Sequence, residues 1–408
     1  MLFTTLTVEE ARNKVKECIK PLPVERVTLG AASGRVVAEE IHAPEDVPGF
    51  DRATMDGFAV RAQDTFGATE GLPAYLRVTG EVLMGRAPEG AVHPGEAWRI
   101  PTGGMLPEAA DAVVMVEYTE EAGPSNQGSE CWVAVLRPVA PGENLVRRGE
   151  DARSGEKLIA AGMRLRAQDI GLLAACGVGM VPVRRRPVAA IIGTGDEVVG
   201  TEVALKPGQV RDVNTVALAA AVEAAGGRPE VYGVVPDELP ALQAALQRAV
   251  AGSDMVLLSG GSSVGTRDLT LSAISSLAQA EVLFHGLAVR PGKPTVGAVV
   301  GGKMVFGLPG HPVSALVVFE VLVKPFIEQE GCRRLPLKAV LKRSLHSAPG
   351  REDYVRVRLT LENGGLAAEP VLGKSGLIAT LSRADALVRL PLDAEGAQAG
   401  EMVDVFLT

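Results

Sequence analysis

The sequence predicts a multidomain α/β plus β protein: a central α/β unit on a mostly parallel sheet, a separate β domain before it, and a small β barrel or sandwich at the C-terminus. Three observations carry this reading. The chain has 408 residues, beyond the size at which one hydrophobic core keeps growing. After Pro187, strand-like VAAII, VYGVV, DMVLL and KMVFGL alternate with helical DVNTVALAAAVEAAGG, DELPALQAALQRAVAG and PVSALVVFEVLV, the signature of βα units. Short β-like runs with turn-rich connections fill about Val47 to Gly149 and return from about Leu335.

Taken in order, Thr7 with Glu10 forms a capping box, and Val8, Ala11, Val15 and Ile19 mark one face of a helix that ends before Pro21 and Pro23. YLRVTGEVLM, DAVVMVEYTE and CWVAVLRPV read as strands of the β domain. RAQDIGLLAACG, Arg166 to Gly177, reads as a second helix, and the basic run Arg184 to Arg186 as a solvated linker at a boundary. In the tail, KAVLKRSLH, DYVRVRLTL, ALVRLPL and MVDVFL read as strands, with Asn363-Gly364-Gly365 as a hairpin turn.

The 47 glycines and 27 prolines punctuate apolar segments instead of forming low-complexity tracts, so the chain is globular. With 41 basic and 49 acidic side chains the net charge is −8, against nucleic-acid binding, which needs a basic surface. Cys18, Cys131, Cys176 and Cys332 form no CxxC pair, so neither a thiolate zinc site nor a disulfide framework is expected. The N-terminus lacks a signal-peptide pattern and no stretch reaches the roughly 18 apolar residues of a membrane span. A cytoplasmic protein with no membrane association is the expectation.

Chemistry concentrates in three glycine/proline loops. LLSGGSSVGTRD, Leu257 to Asp268, joins an apolar strand to a Gly/Ser loop; RPGKP, Arg290 to Pro294, and GLPGHPVSA, Gly307 to Ala315, follow. Ligands of open α/β sheets collect beyond the carboxyl ends of the strands. Gly260, Gly261 and Gly265 let the backbone approach an anion, Ser262 and Ser263 add hydroxyls, and Arg290 and Lys293 add full charge. Carboxylates stand at the same strand ends: Asp196, Glu197, Asp237 and Asp268. Carboxylates facing bound phosphates make a Mg²⁺ environment, which Glu197, Asp237 and Asp268 would supply. Asp237 reads equally as the N-cap of the next helix, and Asp196 as an ordinary turn residue. His311, between Gly310 and Pro312, is a hydrogen-bond donor to an anion or a plain turn histidine. No zinc or Ser/His/Asp grouping is readable. On composition alone VPGFDRATMDGFAVR and IPTGGMLPEAADAVVMVE are loops, with Asp51 and Asp56 as turn-stabilising residues.

These segments, with ENLVRRGED and GTGDEV, occur in the order found in the molybdopterin molybdenumtransferases, the family of bacterial MoeA and the gephyrin E domain, which the chain resembles over essentially its whole length. The resemblance implies a reaction in which adenylylated molybdopterin and molybdate give molybdenum cofactor and AMP, with Mg²⁺ as cofactor. It implies functional acids and hydroxyls at Asp56, Thr102, Asp151, Glu197, Asp237 and Asp268. It implies an anion-binding set at Arg290, Lys293, Arg351 and Ser375, with Pro309 and Pro312 shaping a loop that holds His311. It also implies four domains: a molybdopterin-binding α/β domain (1–29 and 183–333), an elongated dimerisation arm (30–46 and 151–182), an inserted β domain (47–150) and a C-terminal β barrel (334–408). A homodimer completing the cleft, and contact with the molybdopterin adenylyltransferase, belong to the same expectation. His311 stands where relatives carry Asn, and Arg290 where Lys is frequent. The competing readings are the adenylyltransferase itself and a gephyrin-like dimeric scaffold.

Overall fold

The computed structural model describes residues 5–122, 131–260, 264–329, 335–362 and 364–408, with the backbone alone for 264–268. Its centre is a six-stranded sheet in the order Arg228–Val235, Val188–Thr194, Met255–Ser259, Lys303–Leu308, Val296–Val300, Ala280–His285. The first four strands are parallel, and the last two pairings are antiparallel, so that Val296–Val300 alone runs against the rest. The three inner parallel strands are nearly continuous apolar runs because helices cover both faces, while Arg228–Val235 at the edge carries no fully buried residue. Alternate residues serve opposite layers. Ala189, Ile191, Met255 and Leu257 pack with helices Val8–Cys18, Asn214–Ala224 and Pro312–Val318, while Ala190, Ile192, Val256 and Leu258 pack with helices Leu239–Gly252 and Val264–Ser275.

The N-terminal helix begins at the expected capping box: Thr7 Oγ1 accepts from the Glu10 N–H at 3.2 Å, and Glu10 Oε2 accepts from the Thr7 N–H at 2.8 Å. Val8, Ala11 and Val15 are buried against the sheet. The helix from Pro312 carries a π turn at Phe319–Val323 before Pro325, a place where the proline has no N–H to donate.

Two segments build the arm. Val24–Thr28 pairs antiparallel with Met180–Arg184, and Ile41–His42 with Lys157–Ile159, around Val37, Ile41, Ile159, Leu165, Leu173 and Val181. Val24–Thr28, expected in the α/β unit through residue 29, pairs with a strand that runs across the expected boundary at residue 182. The basic run is not a solvated linker. Arg184 ends a strand, its carbonyl accepts from Arg35 Nη2 at 2.8 Å, and Arg185 Nη2 meets Asp254 Oδ1 at 2.6 Å.

The β domain is a six-stranded sheet, ordered Ala112–Met115, Gly57–Val60, Glu96–Ile100, Ala74–Glu81, Trp132–Val135, Thr119–Ala122, over Phe58, Val60, Leu76, Val114, Val133 and Val135. Its two chain crossings are tied together: the Val47 N–H donates to the Ala152 carbonyl at 2.7 Å, Arg148 Nε meets Asp46 at 2.8 Å, and Arg147 meets Asp51 at 2.7 Å.

The C-terminal strands close into a five-stranded barrel, because Glu352–Glu362 pairs with both Gly365–Pro370 and Ala386–Leu390. Closure removes free edges. The hairpin turn falls as expected, with Glu362 opposite Gly365 and Gly364 at φ +78°; Asn363 lies outside the described residues. A sixth strand, Val289–Arg290, reaches over from the α/β domain and pairs in parallel with Glu352 and Asp353.

Candidate functional site

The order of the parallel strands sets the order of polar groups along their carboxyl ends. After Arg228–Val235 comes Asp237, after Val188–Thr194 come Asp196 and Glu197, after Met255–Ser259 comes Gly260, and after Lys303–Leu308 comes Pro309. Asp237 is not the expected helix cap. The following helix starts after Glu238 with no side-chain cap, and Asp237 Oδ1 instead accepts from the Thr194 hydroxyl of the neighbouring strand. Asp196 does more than stabilise a turn: its Oδ1 accepts from the Asp237 N–H at 3.2 Å. Glu197 is exposed beside them. Gly260 has φ +155° and lies so close to the Thr194 carbonyl that any Cβ would collide with it.

One amide joins two of these loops. Asn214 Nδ2 donates to Ser259 Oγ and to the Gly310 carbonyl, each at 2.8 Å. Asp212, two residues earlier, braces the start of the Asn214 helix by accepting from the Thr215 N–H at 3.0 Å.

A cleft of about 1130 Å³ opens between this sheet edge and the barrel. It gathers Gly260, Arg290, Lys293, Pro309, His311, Arg351 and Ser375 of the expected set. Pro312 stands beside it at the start of the helix Pro312–Val318. The RPGKP loop is pinned by buried Thr295, whose hydroxyl donates to the Gly292 carbonyl at 2.6 Å, and Gly292, at φ +125°, leaves no room for a Cβ against Val318. Across the cleft the Val313 N–H donates to the Ser375 carbonyl at 3.1 Å, and His311 packs over Gly376. Arg356 holds the same loop: Nη1 donates to Thr380 Oγ1 at 2.6 Å and Nη2 to the Gly373 carbonyl at 2.8 Å. Burial works against its charge and lowers its pKa. Lys374 adds a further cation to the lining.

Asn214, Asp353, Arg356 and Lys374 are not singled out by the sequence. GKSG, Gly373 to Gly376, is itself a small glycine-flanked loop with a cation and a hydroxyl, so a signal for Lys374 exists. Gly261, Ser262 and Ser263 lie outside the described residues. Gly265 and Asp268 lie in the helix Val264–Ser275, and the Asp268 side chain is not described.

Asp56, Thr102 and Asp151 do not line the cleft, and neither do Glu197 and Asp237, which stand at the neighbouring strand ends. Asp56 Oδ1 accepts from the Thr102 N–H at 2.6 Å and the Thr102 hydroxyl at 2.8 Å, and these bonds, the backbone one foremost, hold its carboxyl below the usual range. Asp151 is exposed at the junction of arm and β domain, where its N–H donates to the Val47 carbonyl at 3.0 Å. Among the described residues no group of three His, Cys, Asp or Glu side chains converges on a metal position. The oxygen donors at the strand ends, Glu197, Asp237 and the Thr194 hydroxyl, suit a hard cation in kind; Mg²⁺ commonly takes one or two carboxylates and completes its shell with water and phosphate oxygens.

Residues 6–177 match the MoeA N-terminal region (domains I and II), 190–329 a probable molybdopterin binding domain, and 338–408 the MoeA C-terminal region (domain IV). A molybdopterin molybdenumtransferase of Bacillus subtilis is 36% identical, covering 99% of this chain and 94% of that protein. One from Staphylococcus epidermidis is 32% identical over 99% and 96%. Among solved structures, the molybdopterin biosynthesis MoeA protein of Pyrococcus horikoshii superposes with a TM-score of 0.84 at 33% identity, covering 99% of this chain and 100% of that one. The chain belongs to the molybdopterin molybdenumtransferase family.

Proposed function

We propose that this enzyme inserts molybdenum into adenylylated molybdopterin, taking molybdate as second substrate and releasing AMP. The observation that carries the reading is the cationic cleft across the seam between sheet and barrel, where Arg290, Lys293, Arg351 and Lys374 stand beyond the strand ends. Arg290 and Arg351 offer bidentate forks to an oxyanion, and Lys293 a point charge. Opening the phosphoanhydride with water leaves negative charge on the departing AMP, which fixed cations and amides stabilise better than solvent does. Mg²⁺, held by Glu197, Asp237 and Asp268, would add neutralising charge at the phosphates. Asp237 is held in place for this role by the Thr194 hydroxyl and by Asp196.

Asp56, Thr102 and Asp151 lie off the cleft, so in this reading the enzyme is a homodimer in which one protomer's β domain faces its partner's cleft. Exposed Met55, and Met84 close to Gly103, flank the Asp56–Thr102 pair and supply apolar surface for such an approach. The reading places the enzyme in the cytoplasm; among the described residues no helix is long and apolar enough to cross a membrane. The relatives named as molybdenumtransferases match along the whole chain, which does not favour the adenylyltransferase or scaffold readings. Contact with the adenylyltransferase that supplies the substrate remains part of the proposal.

The test is AMP release from purified protein given adenylylated molybdopterin and Mg²⁺, with and without molybdate. Molybdate-dependent release with formation of active cofactor is expected. Pyrophosphate formed from ATP and molybdopterin would instead identify an adenylyltransferase.

A further inference from the structure

We propose that Asp353 is a positioning residue that acts as a built-in counter-anion: it holds the guanidiniums of Arg290 and Arg351 in one geometry and moderates oxyanion affinity in proportion to the ligand's charge. The proposal rests on the reading that these arginines receive the oxyanion substrate.

Asp353 is 3% exposed, yet it lines the cleft. A buried carboxylate is costly unless paired, and its partners are the two arginines. Oδ1 accepts from Arg351 Nε at 2.9 Å, and Oδ2 lies 3.6 Å from Arg290 Nη1. The pairing is built into the backbone, since Arg290 and Asp353 are register partners in the parallel ladder between the α/β domain and the barrel. Neighbouring Glu352 is spent on the barrel, where it accepts from the Tyr354 hydroxyl at 2.8 Å and from Arg389. Asp353 therefore serves the cleft. Arg351 meets Asp353 through Nε, so this pairing does not take up its two Nη groups. Arg290 keeps most of its fork open as well, with 62% of its side chain exposed.

The three charges sum to +1 instead of +2. Without the carboxylate, the two cations would repel each other and hold any passing anion more tightly. Removing one negative charge changes the Coulomb energy of a bound ion in proportion to that ion's own charge. A dianion must therefore respond with twice the logarithmic change of a monoanion of the same shape, which a general loosening of the fold would not produce.

Tungstate and perrhenate, tetrahedral ions of similar size carrying −2 and −1, are the probes, titrated calorimetrically into the full-length protein, its Asp353→Asn variant and an Arg351→Gln control. For a charge about 6 Å from the ion in a water-like dielectric, Asp353→Asn should tighten tungstate about tenfold and perrhenate about threefold. Unchanged binding, weaker binding of both ions, or equal changes for both would overturn the role of Asp353. If Asp353→Asn does not fold, the double variant Arg351→Gln/Asp353→Asn, which removes a cation with its buried partner, is compared with Arg351→Gln alone. Recovery of tungstate affinity by about tenfold supports the proposal on the same Coulomb argument, and no recovery overturns it. Wild-type protein that binds neither ion, or binds both with no loss in Arg351→Gln, would remove the oxyanion site itself and this proposal with it.

Discussion

Asn214 concentrates the geometry of two loops on a single nitrogen, holding Ser259 and Gly310 at 2.8 Å each. Truncation leaves both acceptors short of a donor, and each lost partner in a part-buried site costs about 1 to 3 kcal/mol. Asn214→Ala is expected to lower molybdate-dependent AMP release by roughly tenfold or more on that basis, with thermal melting showing the fold retained. Asp56 carries a prediction in pH. Its folded carboxyl titrates below the usual value of 3.8, chiefly through the Thr102 N–H, so the ionised form favours the folded state. That contribution is present above the unfolded value and is lost as pH falls through the depressed folded one. The difference in melting temperature between wild type and Asp56→Asn should therefore be largest near neutrality and fade below that value; a difference that grows in acid would contradict the bond pattern. Cys176 is fully buried, and burial first, then the charges of Asp151 and Glu45, push its thiol up. In a thiol titration exposed Cys131 should react at once and Cys176 only on unfolding, since the thiolate is the reactive form.

Among elements, the loop from Leu372 to Leu377 is held to the barrel through Arg356, which bonds Thr380 and the Gly373 carbonyl. Arg356→Leu should release that loop, raising the KM for molybdate about tenfold while leaving kcat at saturation little changed, as expected when ligand positioning alone is lost. Steady-state kinetics over a range of molybdate concentrations decides it. Contacts of this kind explain what the sequence could and could not disclose. The capping box of Thr7 and Glu10 is readable because its partners are three residues apart, and the apolar strands are readable because burial on both faces leaves long hydrophobic runs. The choice between cap and site residue at Asp237 stays open in the sequence because its partner, Thr194, is 43 positions away and adjacent only through the sheet. Asp353 is hidden for another reason. Glu352, Asp353 and Tyr354 are all buried in succession, which breaks the alternation of an ordinary strand, because this stretch is clasped between barrel and α/β domain.

For the whole molecule, the βα pattern and the two β regions are legible in the sequence, whereas the arm is legible only through family resemblance. Its ladders join residues more than a hundred positions apart, such as Val27 with Val181, and no local periodicity records that pairing. The dimer is testable at this scale. If each active site combines Asp56 of one protomer with Asp237 of the other, two inactive variants, Asp56→Ala and Asp237→Ala, should recover about a quarter of wild-type activity when unfolded and refolded together, since half the dimers are mixed and each mixed dimer has one intact site. No recovery would place each site within a single chain.

The strand Val289–Arg290 has a wider consequence. It lies against Glu352 and Asp353 by main-chain hydrogen bonding, with the Glu352 N–H donating to the Ala288 carbonyl at 2.8 Å. Neighbouring strands in any sheet sit about 4.8 Å apart whatever side chains they carry. The separation of the two cationic shores is thus measured by a ruler made of peptide, so substitution can alter the charge on either shore while the gauge between them stays the same.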